Sequence, residues 1–296
     1  MRARHNQEGA RRVRTVFVNG NYLPEDEASI SIFDRGFLFA DGVYEVTSVL
    51  DGRLVDFDGH FARLQRSLGE LEMKMEMSRD ELLSMHRELV KKNSLEEGLV
   101  YLQVTRGAAD RDFAFPPEDT PGTIVAFTQD KALIDAPSAK EGIKVITLED
   151  LRWGRCDIKT VQLLYPSLAS MQARKRGAKG AWLVRDGMVT EGTANNAYIV
   201  TREGVIVTRD LSHEILSGIT RKSVLACAKA LQMKVEERPF SVEEIAEAAE
   251  AFTTAATIFV MPVIEVDGKA IGDGRPGPVA RKLREIYIKQ SLENAI

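Results

Sequence analysis

A lysine in an apolar setting, a loop carboxylate and a glycine–threonine turn ahead of a helix are the residues here best suited to chemistry. Lys159 follows Cys156-Asp157-Ile158 and precedes Thr160, with Val161, Leu163, Leu164 and Tyr165 close behind. An amine partly stripped of water loses some preference for its charged form, and the neutral form attacks carbonyl carbon. Leu216-Ser217-Gly218-Ile219-Thr220 leads directly into a helical pattern over residues 221–231. Such a loop offers free backbone N–H groups, a hydroxyl and the positive end of a helix dipole, which together suit a phosphate. Glu191, in Thr190-Glu191-Gly192, follows an Asp186-Gly187 turn signal. Each feature also has a plainer reading: a surface lysine at a strand end, a solvated carboxylate, a hydroxyl that simply caps a helix. Composition and spacing alone leave the function open.

Other chemistries find no foothold. The histidines are His5, His60, His86 and His213, and none sits at metal-ligand spacing with another histidine or a cysteine. The sequence has no G-x-S-x-G elbow, no G-x-x-x-x-G-K-[ST] loop and no G-x-G-x-x-G after a strand. A net charge of -4 and a pI near 5.8 give no general reason to bind nucleic acid. Cys156 and Cys227 cannot form a disulfide framework, so a reducing, cytoplasmic setting is expected. No apolar run approaches the roughly 18 residues that a membrane span needs. Residues 1–14 stand apart, with Arg2, Arg4, His5, Arg11, Arg12 and Arg14 against the single acid Glu8. A disordered leader is the expectation, and an arm for nucleic acid or an anionic surface the alternative.

The elements that must position these residues form an irregular mixture. Strands are expected over 15–18 and 21–23, joined by Asn19-Gly20, and over 43–50, closed by Asp51-Gly52. Phe61, Leu64, Leu68 and Leu71 recur at helical spacing within 60–75. Ser78 and Glu81 form a capping box for a helix reaching about residue 93. Further strands are expected over 99–106, 123–128, 143–148, 181–185, 197–200 and 205–207. Helices are expected over 220–231, 241–249 and 279–291. Without a regular βαβ beat the fold class is α+β. The expected division is a small N-terminal α/β domain over 15–133, a linker over 134–142 and a larger C-terminal domain over 143–296.

Four blocks taken together carry a resemblance. Phe33-Asp34-Arg35-Gly36-Phe37-Leu38-Phe39-Ala40-Asp41-Gly42-Val43-Tyr44-Glu45 resembles the D-R-G-x-x-F-x-D-G-x-Y-E signature of D-amino-acid aminotransferases. Arg152 through Lys159 is similar to that family's cofactor-lysine segment, Val189 through Asn196 to its T-E-G-x-x-x-N loop, and Gly218-Ile219-Thr220-Arg221 to its phosphate cup. The blocks follow the family's order and spacing across roughly residues 16–283. The chain thus resembles the fold-type IV, pyridoxal 5'-phosphate (PLP) dependent D-amino-acid and branched-chain aminotransferases. The resemblance implies two domains, the C-terminal one a pseudo-barrel of strands that binds PLP, and a homodimer.

By that resemblance Lys159 carries PLP as a Schiff base and later moves the substrate Cα proton. Glu191 pairs with the pyridine nitrogen, Arg63 grips the phosphate with Ile219 and Thr220, and Leu216 packs on the ring face. Thr254-Ala255-Ala256-Thr257 adds donors, but Ala256 stands where the family often has a hydroxyl, so a looser hold on PLP is expected. Tyr44 matches a tyrosine that binds the substrate carboxylate. Arg111 falls on the arginine of an Arg-x-His pair contributed by the neighbouring subunit, and Phe113 replaces the histidine. Arg111 can still take a carboxylate bidentately, while Phe113 widens tolerance toward (R)-primary amines such as 1-phenylethylamine. The implied reaction is ping-pong transamination between a D-amino acid (alanine or glutamate) and a 2-oxo acid. Its rivals are an L-branched-chain aminotransferase, an aminodeoxychorismate lyase and a non-catalytic PLP binder.

Overall fold

A computed structural model describes residues 13–296 of the chain. Most of the leader, with its alternative role as a charged arm, lies outside the described residues. Arg14, the last residue of that leader, hydrogen-bonds Glu25 through Nε at 2.8 Å and the Thr128 carbonyl at 3.0 Å.

The N-terminal half is built on one antiparallel sheet. Its strands are β1 (Thr15–Val18), β2 (Asn21–Pro24), β3 (Gly42–Leu50), β4 (Arg53–Leu54), β5 (Glu97–Thr105) and β6 (Thr123–Asp130), in the order β2-β1-β6-β5-β3-β4. The two expected hairpins form as the sequence requires. Asn19 and Gly20 take φ of 46° and 88°, and Asp51 and Gly52 take 50° and 69°, the left-handed pairs of a tight turn. Helix α1 (Arg35–Phe39) precedes β3, and α2 (Phe57–Glu70) and α3 (Arg79–Asn93) cover one face. Helix α2 ends before the expected residue 75 because Glu72 turns left-handed and Met73 N–H returns to the Leu68 carbonyl. Helix α3 starts on the predicted capping box, Ser78 and Glu81 each bonding the other's backbone N–H. Leu64, Leu68, Leu82, Met85 and Leu89 pack with Val43, Val100 and Leu102 into one core.

The second half winds a larger sheet, whose strands lie in the order Val235–Glu237, Ile206–Thr208, Asn196–Val200, Glu250–Ala255, Phe259–Val266, Ile143–Glu149, Gly180–Arg185 and Met188–Gly192. Helix α4 (Pro137–Glu141), within the stretch expected as linker, leads into β7 (Ile143–Glu149). There follow α5 (Leu164–Lys175), β8 (Gly180–Arg185), β9 (Met188–Gly192), β10 (Asn196–Val200) and β11 (Ile206–Thr208). Then come α6 (Ile219–Ala230), β12 (Val235–Glu237), α7 (Val242–Glu247), β13 (Glu250–Ala255), β14 (Phe259–Val266), β15 (Lys269–Ala270) and α8 (Pro278–Asn294). Sequence patterning misses α5 because its large apolar residues face solvent: Leu164 is 76% exposed, while Ala169 and Ala173 are buried. The halves are stitched together. Leu50 and Val55 join the core of Tyr198, Phe252 and Tyr287, and the chain's last residue, Ile296, exchanges backbone hydrogen bonds with Leu54.

Candidate active site

Between the halves lies a cavity of about 630 Å³, within the range of small-molecule sites. Pieces of chain far apart in sequence meet on its wall, among them β3, helix α2, the loop before α5, the β9–β10 segment, the start of α6 and the β13–β14 turn.

Lys159 sits in that loop, half-buried, with Nζ 4.0 Å from the centroid of the Tyr44 ring. Its backbone is pinned to the first sheet: Tyr44 N–H donates to the Lys159 carbonyl at 3.0 Å, and Val161 N–H to Gly42 at 3.1 Å. Ile158 is buried in the N-terminal core, and Asp157 takes Arg66 at 2.6 Å and Arg155 at 3.0 Å. The lysine is therefore held at the junction of both halves instead of ending a surface strand.

Glu191, on β9 and 4% exposed, is heavily engaged. Arg152 Nη1 lies 2.6 Å from Oε1, Asn196 Nδ2 donates to Oε2 at 3.0 Å, and the Leu216 N–H lies 3.2 Å from both oxygens. Burial pushes the carboxyl up from its ordinary value, and the Arg152 guanidinium opposes that shift. Arg152 is itself shared with Asp150 through Nε at 2.9 Å and Nη2 at 2.8 Å. A carboxylate offers about four acceptor positions. Three donors already engage Glu191, the Leu216 N–H shared between both oxygens.

Arg63 projects from α2 and is anchored by a buried carboxylate. Its Nε and Nη2 each lie 2.8 Å from Glu45, which also takes His60 Nδ1 at 2.7 Å, and Nη1 donates to the Ser217 carbonyl at 2.9 Å. Burial disfavours the Glu45 charge, but Arg63 and His60 more than offset it and hold the carboxyl far below its usual range. Helix α6 opens at Gly218 with no side-chain cap, so its first N–H groups, at Ile219 and Thr220, stay available beside the cavity. A Cβ at 218 would meet Asn196 Oδ1 at 2.2 Å and so would push that side chain from its place beside Glu191.

Tyr44, Arg63, Lys159, Glu191, Leu216, Ile219, Thr220, Ala256 and Thr257 all line this one cavity. Arg111 and Phe113 do not. They lie exposed on the β5–β6 loop, with the Arg111 guanidinium 5.3 Å from the Phe39 ring and 5.5 Å from that of Phe113. Asp41 Oδ2 binds Arg35 and Arg106 at 2.8 Å each, and Arg35 holds the Asp112 carbonyl at 2.7 Å, which fixes the loop. Sequence reasoning assigned no part to Arg152, Asn196 or Glu45, although all three stand inside the motif blocks. Cys156 also lines the cavity, but burial pushes its thiol up to about 11 and leaves it protonated.

The residues fit PLP. A guanidinium and an uncapped helix start suit its phosphate, a buried carboxylate its ring nitrogen and a half-buried amine its aldehyde. No group of three or more metal-liganding side chains occurs among the described residues, nor any helix long and apolar enough to cross a membrane.

Residues 42–266 match the family described as amino-transferase class IV. The chain is 38% identical to a D-alanine aminotransferase of Staphylococcus haemolyticus, over 93% of this chain and 96% of that one. It is 39% identical to a D-alanine aminotransferase of Bacillus licheniformis, over 95% of this chain and 96% of that one. A T.th. branched-chain amino acid aminotransferase, solved with N-(5'-phosphopyridoxyl)-L-glutamate, superposes with a TM-score of 0.86 at 26% identity over 95% of both chains. One from Escherichia coli superposes at 0.84 with 22% identity over 94% of both, a likeness of fold alone.

Proposed function

The chain belongs to the amino-transferase class IV family, α+β in fold and PLP-dependent in chemistry, and from that premise we propose that it transaminates D-amino acids by a ping-pong mechanism. D-Alanine or D-glutamate with pyruvate or 2-oxoglutarate is the first pairing, and both enter as small-molecule partners. The observation that carries this reading is the convergence of Lys159, Glu191, Arg63 and the α6 start on one cavity.

In this account PLP supplies the electron sink that makes the substrate Cα proton removable. Lys159 would anchor the cofactor, and its Nζ would then take that proton and return it. Glu191 would pair with the ring nitrogen and keep it protonated, with Arg152 and Asn196 fixing the carboxylate. Arg63, Ile219 and Thr220 would hold the phosphate, joined by Ala256 and Thr257, and Leu216 would pack against the ring. Tyr44 would bind the substrate carboxylate together with Arg111 of a second copy, as the family resemblance implies; Arg111 lies outside its own chain's cavity lining. Phe113 offers an apolar surface beside that arginine, which admits (R)-primary amines as a side activity. Domains over 15–133 and 143–296, a homodimer and a cytoplasmic setting complete the reading.

The test is a product assay of PLP-loaded protein. D-Alanine with 2-oxoglutarate should yield pyruvate and D-glutamate, and L-leucine should yield little. Turnover of L-leucine alone would move the chain to the branched-chain group. Pyruvate from aminodeoxychorismate without an acceptor would make it a lyase.

A further inference from the structure

We propose that Ser48 is a positioning residue that aims the β13–β14 turn at the anion bound beside it. The inference deepens the reading above and rests on residues 254–257 holding an anionic group. Strand alternation puts Tyr44, Val46 and Ser48 on one face of β3, and the first two line the cavity. Ser48 is next in that row, 2% exposed, and its hydroxyl donates to the Ala256 carbonyl at 2.7 Å. The contact joins residues 208 apart in sequence and ties the N-terminal sheet to a turn of the C-terminal one.

A trans peptide points its C=O and the following N–H in opposite directions. Fixing the Ala256 carbonyl on Ser48 therefore fixes the Thr257 N–H as well, directed away from Ser48. The other end of the turn is braced too, because Arg284 Nη1 donates to the carbonyls of Ile258 at 2.8 Å and Val260 at 3.0 Å. With carbonyls held on both sides, the turn presents its N–H groups in one orientation. Ala256 has no hydroxyl to contribute, so the orientation of main-chain donors weighs more here than in a turn bearing serine or threonine at that place. Ser48 supplies from a different strand the order that the turn's own side chain cannot.

The experiment compares PLP-loaded natural protein with Ser48→Ala, measuring the rate of PLP release on dilution and the 31P resonance of the bound cofactor. Losing one neutral hydrogen bond should speed release by roughly three- to tenfold, and the 31P resonance should shift. Equal release rates overturn the proposal. Faster release with an unmoved resonance also overturns it, because the bond would then serve packing without reaching the phosphate. If the natural protein takes up no PLP, the underlying reading fails with it, and the two failures are distinguishable.

Discussion

Replacing Glu45 with glutamine tests the buried anchor of Arg63. Glu45 Oε1 accepts Arg63 Nε, and Oε2 accepts both Arg63 Nη2 and His60 Nδ1. Whichever way the amide is turned, its NH₂ faces an Arg63 N–H, so one charge-assisted bond is lost as well as the countercharge. Leaving a buried charge without its partner costs about 3–5 kcal/mol. At roughly 1.6 °C per kcal/mol for a chain of 296 residues, the PLP-free variant should melt about 5–8 °C below the natural protein. If Arg63 holds the phosphate of PLP, as proposed, that dianion would replace part of the lost charge. The loss should therefore be smaller in PLP-loaded protein, and the gap in Tm between loaded and free protein should widen in Glu45→Gln. Thermal unfolding of both proteins, with and without saturating PLP, reads this directly. An equal loss in both states would show that the phosphate does not sit beside Arg63 and would refute the assignment.

Three further outcomes are expected. Removing Arg152 takes away the cation that opposes the burial-driven rise of the Glu191 carboxyl, so in Arg152→Ala the acid limb of the kcat–pH profile should move to higher pH; an unmoved limb would contradict this. Arg111→Ala should raise KM for D-alanine by tenfold or more, since a lost charged hydrogen bond is worth about 1.5–3 kcal/mol, while leaving turnover of 1-phenylethylamine nearly unchanged. Equal effects on both would remove Arg111 from the carboxylate site. His86 is buried with its pKa pushed down to about 4, chiefly by desolvation, from an ordinary 6.5. The unfolded chain thus takes up the proton first, and stability is lost as pH falls from about 6.5 toward 4. The loss is about 3 kcal/mol, and a urea titration should find it absent from His86→Gln.

Local chemistry made much of this molecule legible. Asn19-Gly20, Asp51-Gly52 and Asp186-Gly187 all form left-handed turns, and Ser78 and Ser241 both cap helices as capping boxes. Tyr44, Lys159, Glu191, Ile219 and Thr220 were readable because four motif blocks each contribute to the cavity lining. Other features left no local trace. Helix α5 buries alanines and exposes leucines, which erases the amphipathic stripe. The Arg152–Glu191 and Arg63–Glu45 pairs join residues far apart in sequence, and such pairing depends on topology that spacing does not encode. Ser48 reads as an ordinary strand residue until the β13–β14 turn is seen beneath it.

The most direct test of the central claim is the absorbance spectrum of the purified, PLP-loaded protein before and after D-alanine, with L-leucine and a Lys159→Ala variant alongside. A visible PLP band is expected that bleaches with D-alanine, persists with L-leucine, and in the variant is no longer held through the protein's own amine. A protein that shows no such band in excess PLP, or a Lys159→Ala variant that behaves like the natural chain, would contradict it.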